Sequence, residues 1–213
     1  QYLDYRQAEE SLTMYRQAGV AGVLALRGDR NPDQEPTGVF AHASDLVSYI
    51  SQIDPDLTVY GACYPECHPE SPSRQEDIRC LKLKVDAGVS HLISQLFYDN
   101  EDFFRFLDIT RKAGITVPIE AGIMPVTNAE QVRRMVRICS SRVPRTLNAM
   151  LERWSDDPRA LKEAGVIYAS EQIADLVAHG VDGVHLYTMN HPVITRRIWS
   201  NIQPLFTTTE SAQ

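Results

Sequence analysis

Glycines placed just before short apolar runs are the feature that most constrains the fold of this chain. The tripeptides AGV, AGV, AGI and HGV occupy 18–20, 87–89, 113–115 and 179–181, each between a helix-like segment and an apolar run. Gly commonly ends a helix because it accepts positive φ. The runs, such as GVLAL and HLIS, are almost continuously apolar, which is typical of strands buried on both faces of a parallel sheet. The repeated pattern predicts an α/β fold with right-handed crossovers.

Polar residues with side-chain acceptors mark the predicted helix starts. Ser44 is predicted to cap the helix in HASDLVSYISQI, and Asn100 the helix in NEDFFRFLDITRK. Thr127 or Asn128 is predicted to cap the helix that contains AEQVRR. These side chains can accept hydrogen bonds from the first N–H groups of a helix, which have no acceptor within the helix itself.

Two architectures fit this alternation, an open doubly wound sheet and a (β/α)₈ barrel. No Gly-x-Gly-x-x-Gly follows the first strand and no Walker loop occurs, which weakens the case for a dinucleotide-binding sheet. In a barrel, functional groups gather at the carboxyl ends of several strands, and polar, aromatic and Gly/Pro residues recur here where apolar runs finish. The strand ends carry Arg27-Gly28-Asp29, Tyr64-Pro65-Glu66, Gln95, Gly122–Pro125 and Tyr187–Asn190. The sequence therefore favours the barrel.

The number of strand–helix units is smaller than a closed barrel needs. We count about five units, whereas a closed barrel has eight in roughly 250 residues. The chain begins with a helix, so about three units are expected to precede residue 1. We interpret 1–213 as a single domain, the C-terminal portion of a (β/α)₈ barrel. Five strands would leave two sheet edges that must be covered.

Composition and charge exclude several classes of function. The 213 residues are 43% hydrophobic and carry a net charge of −7 with scattered basic residues, which argues against a nucleic-acid partner because such proteins need a basic face. There is no run of about 18 apolar residues and no apolar signal-peptide segment, so no membrane partner is expected. Four cysteines without a second Cys/His pair at zinc spacing predict reduced thiols, no metal site and a cytoplasmic protein.

Arg27, Gly28 and Asp29 place opposite charges directly after the first apolar run. At a barrel mouth the Arg27 guanidinium suits phosphate, since it offers a planar fork of donors. Gly28 would let a ligand approach the backbone closely, and the Asp29 carboxylate could stabilise a developing cation. The alternative interpretation is an ion pair in a surface loop.

The segment YPECHPES brings an aromatic ring, two carboxylates and a histidine to the end of the second run. Tyr64 can stack or hydrogen-bond, and His68 can donate to phosphate or carbonyl oxygen, although a single loop histidine is more often structural. Asp77 and Lys84 lie two helical turns apart and share one helix face, which is usually solvated. Gln95 ends an apolar run. Its amide could form hydrogen bonds either with the amide-like edge of a heterocyclic ligand or with other groups in the protein core.

Six motifs, taken in order, resemble one family. They are LALRGD, ASDLV, YPECHPES, KVDAG followed by ISQLFYD, VPIEAGIMPVTN and GVHLYTMN, and they run through nearly the whole chain. Together they look like methylenetetrahydrofolate reductase. The resemblance implies a (β/α)₈ barrel that binds FAD at the carboxyl ends of its strands. It also implies reduction of 5,10-methylenetetrahydrofolate to 5-methyltetrahydrofolate with NAD(P)H in one-carbon and methionine metabolism, by a homo-oligomer with these small molecules as partners.

The resemblance implies roles for individual residues as well. Asp29 would lie near flavin and folate and favour the cationic iminium form of the substrate. Gln95 would serve folate and the nicotinamide donor in turn, so Asp29 and Gln95 are the expected catalytic residues. Gln131 would be a further folate contact. The implied FAD positions are Arg27, Gly28, Asp29, Ala43, Tyr64, His68, Ser71, Asp77 and Lys84.

Some positions depart from the family pattern. Cys80 stands where the family often has Asn, and Leu83 where it often has a basic residue. The family's Glu-Phe-Phe-Pro-Pro motif, which carries its catalytic Glu, does not occur in this sequence. Two alternatives therefore stay open: a non-catalytic folate- or flavin-binding subunit completed by another chain, and a flavin-independent reductase.

Overall fold

The structure is a computed structural model that describes residues 2–28, 33, 35–139 and 141–206. Its strands are β1 Gly22–Ala25, β2 Thr58–Cys63, β3 His91–Ser94, β4 Ile119–Ile123 and β5 Gly183–Leu186. Its helices are α1 Tyr5–Gln17, α2 Ala43–Ile53, α3 Arg74–Asp86, α4 Asn100–Lys112, α5 Ala129–Cys139, α6 Arg145–Trp154, α7 Pro158–Ala178 and α8 Pro192–Ile202, followed by a 3₁₀ turn at Gln203–Leu205. Within these ranges, none of the helices has the length and apolar character needed to cross a membrane.

The strand order identifies the architecture. The five strands lie in the sheet in chain order, and each is parallel to its neighbour. A doubly wound sheet reverses its order at a switch point, and this sheet does not. Such crossovers are right-handed. Because each new strand is added on the same side of the preceding one, all crossover helices lie on one face of the sheet, as in the wall of a (β/α)₈ barrel. The predicted fold class is confirmed.

The central strands of the sheet are buried on the side that faces the helices. Val59, Leu92 and Ile119 alternate with less buried neighbours along their strands, and each is at most 2% exposed. They pack in one apolar cluster with side chains from α4 and α7. The cluster members from these helices include Phe103, Phe106, Val166, Ala169, Ile173 and Leu176. Removal of this apolar surface from water is the main force that holds helices and sheet together.

The opposite side of the sheet, which faces the barrel interior, is half open. Leu24 is 46% exposed, and its register partner Tyr60 is only partly buried. On the same side the His185 Nδ1 atom lies 3.5 Å from the Glu120 Oε2 atom. The prediction of strands buried on both faces is therefore wrong for the described residues, because only alternate side chains are covered.

The predicted cap of α2 is wrong, and that of α5 is confirmed. His42 occupies the cap of α2 in an extended conformation, and its N–H donates to Asp45 Oδ2 at 2.8 Å. Ser44 already lies in the first turn of α2. The helix starts earlier than predicted because the Asp45 carboxylate, inside the first turn, accepts the hydrogen bond from the N–H of the cap residue. Asn128 caps α5 as predicted, since its Oδ1 accepts from the Glu130 N–H at 2.7 Å.

The predicted cap of α4 is also wrong, by one residue. Asp99 is the cap residue, and its Oδ1 accepts from the Glu101 N–H at 3.1 Å. The Asn100 amide instead reaches α7, where its Nδ2 donates to Asp175 Oδ2 at 2.7 Å. A contact between residues so far apart in the chain is invisible to local sequence patterns.

The glycines that precede strands act as predicted. Gly19, Gly88, Gly114 and Gly180 follow the C-terminal ends of four helices and have φ values of 70°, 126°, 75° and 70°. Residues with a Cβ rarely adopt this left-handed conformation. At each of these glycines the chain turns in a similar way and leads from the end of the helix back to the sheet.

Candidate functional site

A cavity of about 480 Å³ opens between the carboxyl ends of β1 and β2 and the helices α2 and α3. This volume lies in the usual range for ligand pockets, roughly 300–1,000 Å³. Of the positions predicted to bind FAD, its walls include Arg27, Ala43, Tyr64, His68, Ser71, Asp77 and Lys84. Gly28 adjoins Arg27, and Asp29 lies outside the described residues. The structure thus brings most of the predicted cofactor residues together, while their binding role stays a prediction.

Arg27 spans the mouth of this cavity. Its Nη1 and Nη2 donate to the two carboxylate oxygens of Glu70 at 2.6 and 2.9 Å, and its Nε donates to the Gly28 carbonyl at 3.2 Å. The Arg27 side chain is 20% exposed and that of Glu70 is 50% exposed. The ion pair therefore connects the loop after β1 with the loop after β2.

Asp77 fixes the loop that carries His68 and Ser71. Its Oδ2 accepts from the His68 N–H at 3.2 Å, and its Oδ1 accepts from the Ser71 hydroxyl at 3.3 Å. His68 Nδ1 in turn accepts from the Glu70 N–H at 3.1 Å, so the remaining ring proton sits on Nε2 as a donor. The His68 ring also meets the Tyr64 ring edge-on, with centroids 4.6 Å apart.

Lys84 brings a positive charge to the inner wall of the cavity. Its Nζ donates to the Ala62 carbonyl at 2.7 Å. Burial lowers the pKa of Lys84, and the nearby carboxylate of Asp77 acts against this shift. Burial also raises the pKa of the Cys63 thiol to about 12, so this thiol is neutral near pH 7 and adds no charge to the wall.

The first turn of α2 forms another part of the wall. His42, Ala43 and Ser44 all line the cavity, and the first N–H groups of a helix have no intrahelical acceptor. Together with the helix dipole they favour a bound anion. Nearby, Gly28 has a φ of 79°, a left-handed conformation that a residue with a Cβ rarely adopts.

Among the described residues of the wall, the charged side chains are balanced. Arg79 Nη2 lies 2.6 Å from Glu76 Oε1, a second ion pair beside that of Arg27. The formal cations among these residues are Arg27, Arg79 and Lys84, and the carboxylates are Glu70, Glu76 and Asp77. An anionic ligand would therefore enter a site whose positive groups already have acidic neighbours.

Gln95 lies at the end of β3, outside the residues that line the charged cavity. Its N–H donates to the Cys63 carbonyl at 2.7 Å, which holds the ends of β3 and β2 side by side. Its Oε1 accepts from the Leu96 N–H at 2.8 Å. This bond makes the Nε2 group the part of the amide best placed to meet a ligand.

Gln131 lines a smaller groove beside the ends of β4 and β5. Its Oε1 accepts from the Thr127 hydroxyl at 2.8 Å, and its Nε2 lies 3.7 Å from Met124 Sδ. Tyr187 closes the other side of this groove. The structure therefore places Gln131 on the same edge of the sheet as Gln95, with its amide used inside the protein; its folate contact stays a prediction.

Ser94, Gly122 and Tyr187 hold the ends of the three last strands together. The Tyr187 hydroxyl donates to the Ser94 carbonyl at 2.9 Å, and the Gly122 N–H donates to Ser94 Oγ at 2.8 Å. A Cβ at Gly122 would lie 2.2 Å from the Ser94 carbonyl oxygen, so only glycine fits. Burial raises the pKa of Tyr187 to about 12, which keeps its hydroxyl a donor.

Sequence reasoning missed several residues of the cavity. Glu70 stands in the YPECHPES motif, yet its pairing with Arg27 depends on two loops that the sequence does not place together. Glu76 and Arg79 are neighbours on α3 at a spacing that predicts an ion pair, but not its position at a cavity. Cys80 and Leu83, which depart from the family pattern, line the wall as well.

The fold is that of an α/β-barrel protein, and its cavity lies at the carboxyl ends of the strands, where such proteins bind their ligands; cations and a helix N-terminus in its wall suit an anion. The chain belongs to the methylenetetrahydrofolate reductase family, whose model matches residues 3–203.

Relatives in plants and bacteria support this assignment. The chain is similar to methylenetetrahydrofolate reductase (NADH) 1 of Arabidopsis thaliana, with 39% identity over 198 residues that cover 85% of this chain and 33% of the plant protein. It is 36% identical to 5,10-methylenetetrahydrofolate reductase of Pectobacterium carotovorum, with 90% and 63% coverage, and 38% identical to that of Escherichia coli, with 83% and 58% coverage. The chain thus spans a third of the plant relative and about three fifths of the bacterial ones.

A solved structure supports the fold. It is an uncharacterized protein from Clostridium thermocellum, described as binding two copies of 5-methyl-5,6,7,8-tetrahydrofolic acid. It matches this chain with a TM-score of 0.58 and 14% identity, and the match covers 96% of this chain and 91% of that one. At this identity the similarity concerns the fold alone.

Proposed function

We propose that the protein containing this chain is an FAD-dependent oxidoreductase that reduces 5,10-methylenetetrahydrofolate to 5-methyltetrahydrofolate with NAD(P)H. Family membership supports the folate reaction. The observation that carries the flavin part is the cavity, which joins most of the predicted FAD positions in one wall. A cytoplasmic location and a homo-oligomeric state belong to the same proposal.

The residues of the cavity fit an adenine dinucleotide. Arg27, Lys84 and the N-terminus of α2 offer donors and positive potential to a diphosphate. Gly28 carries no side chain that would keep a ligand away from its own backbone. The Tyr64 ring, held against His68, offers a flat surface for stacking, and such aromatic contacts favour offset or edge-on geometries.

Bound FAD would supply a carrier that accepts a hydride from one substrate and gives it to the next. The chain's own residues would bind and orient it. Asp77 acts by positioning, since both its oxygens hold the loop of His68 and Ser71. His68 would donate a proton through Nε2 in a hydrogen bond to the cofactor.

The ends of β3, β4 and β5 would receive the two substrates. Gln95 would offer its amide N–H groups to the amide-like edge of folate or nicotinamide. Because one residue would serve both, the substrates would bind in turn, and ping-pong kinetics are expected. Asp29, directly after Gly28 in the sequence, would favour the cationic form of the folate through its negative charge.

The test starts from the whole protein, purified and examined for flavin absorbance. We expect a yellow protein that NADH or NADPH bleaches anaerobically and that 5,10-methylenetetrahydrofolate reoxidises. Ala43→Trp, which fills the cavity at the start of α2, should abolish flavin binding. Ala18→Trp, at the exposed C-terminal cap of α1, is the matched control and should keep it. A colourless wild-type protein that still reduces the folate would favour the flavin-independent alternative. A protein that neither oxidises NAD(P)H nor reduces the folate would favour the non-catalytic binding subunit.

A further inference from the structure

The cation best placed to meet a diphosphate at the cavity mouth is already held by a carboxylate of the same chain. Arg27, after β1, and Glu70, after β2, form a two-point ion pair with donor–acceptor distances of 2.6 and 2.9 Å. Both residues line the cavity. Carboxylate and phosphate both bind the N–H edge of a guanidinium through two parallel hydrogen bonds, so a bound diphosphate and Glu70 would compete for Nη1 and Nη2.

The three carboxylates of the wall differ in where they lie. Asp77 and Glu76 are on α3, where Asp77 accepts from His68 and Ser71 through both of its oxygens and Glu76 pairs with Arg79 within one turn. Glu70 lies in the loop between β2 and α3 and is 50% exposed, so water reaches its carboxylate directly.

We propose that Glu70 is an internal latch that occupies the Arg27 anion site and must release it before an anionic cofactor binds. The inference rests on the proposed function for the identity of the cofactor, while the latch itself requires only a diphosphate ligand. Closed, the ion pair joins the two loops across the cavity mouth. Open, it exposes the Nη1 and Nη2 groups to the diphosphate, so the latch lowers the cofactor affinity of the protein.

Two variants test separately the length of the Glu70 side chain and its charge. Glu70→Gln removes the charge, whereas Glu70→Asp keeps it but is too short to maintain both hydrogen bonds. Exposed or partly exposed ion pairs contribute up to about 1 kcal/mol, more when two-point, so both variants should bind the ligand about five- to tenfold more tightly. Glu163→Gln is the matched control, because Glu163 pairs with both Nη atoms of Arg197 at 2.6 and 2.7 Å on α7 and α8, outside the cavity walls.

The experiment is isothermal titration calorimetry of the whole protein with FAD and, separately, with inorganic pyrophosphate. Tighter binding of either ligand by both Glu70 variants, with Glu163→Gln unchanged, supports the latch. Equal or weaker binding by the Glu70 variants overturns it, and so does a gain in Glu70→Gln alone, which would reflect charge rather than reach. If pyrophosphate binds more tightly to both variants while FAD binds to none of the proteins, the latch stands and the proposed function fails. If pyrophosphate binds to none of them and FAD gains nothing, the latch fails.

Discussion

The two halves of one sheet edge differ in chemistry. At the ends of β1 and β2, charged side chains surround a cavity of about 480 Å³. At the ends of β3, β4 and β5, amide and hydroxyl groups such as those of Gln95, Gln131 and Tyr187 take over, and the groove is shallower. Cations favour anions, whereas amides suit the edges of neutral heterocycles. Under the proposed function, one half of the edge would hold the cofactor's diphosphate and the other the reacting rings.

The largest effect is expected for Asp29→Asn, at the residue that the family resemblance places near flavin and folate. The variant should keep flavin but lose about 10²–10³ in the rate of folate reduction, because a charge that favours the cationic substrate is gone. Flavin reduction by NAD(P)H should suffer less. Stopped-flow traces of the two half-reactions measure both rates. Folate reduction at the wild-type rate would remove Asp29 from the site.

Gln95→Ala should slow both half-reactions without weakening flavin binding. Loss of one buried hydrogen-bond partner costs about 1–3 kcal/mol, which is about 10- to 100-fold in rate. Gln131→Ala is the control from the same half of the edge, and it should affect only the folate half-reaction. If Gln95→Ala changes neither rate, the side chain serves only its hydrogen bond to Leu96.

Lys84→Met should weaken flavin binding without lowering the stability of the flavin-free protein. Flavin should bind about tenfold more weakly, since a cation on the wall is lost. The melting temperature of the flavin-free protein should stay equal or rise, because a buried charge carries a desolvation penalty that an apolar side chain of similar length avoids. Flavin fluorescence titration and calorimetric melting measure the two effects. A large fall in melting temperature would show that the bond to the Ala62 carbonyl dominates.

The same lysine predicts a small pH dependence. Burial lowers the folded-state pKa of Lys84 below its usual value of 10.5, so between the two values the unfolded chain binds more protons than the folded one. The free energy of unfolding should therefore rise with pH across that window, and Lys84→Met should remove this contribution. Denaturant unfolding of both proteins from pH 8 to 10.5 tests it; an unchanged slope in the variant would contradict the assignment.

The sequence predicted which residues would lie together better than it predicted the bonds among them. Apolar runs and glycine stops predicted the parallel α/β fold because they report local conformation and burial. The spacing of Asp77 and Lys84 placed them on one helix face, and both line the cavity. The pairing of Arg27 with Glu70 could not be predicted, since it depends on how two loops meet in space. The prediction that Asn100 caps α4 is wrong for the same kind of reason. Its side chain contacts α7, and local sequence patterns carry no signal of such a long-range contact.

The division of the sheet edge is tested most directly by one measurement, the dissociation constant of FAD for Arg27→Ala and Gln95→Ala in the whole protein. The charged half should hold the diphosphate, so Arg27→Ala should weaken binding at least about tenfold. Gln95→Ala should remain within about twofold of the wild type, and Arg197→Ala, which breaks a similar ion pair outside the cavity walls, should match it. Equal losses in Arg27→Ala and Gln95→Ala, or a larger loss in Gln95→Ala, would contradict the account.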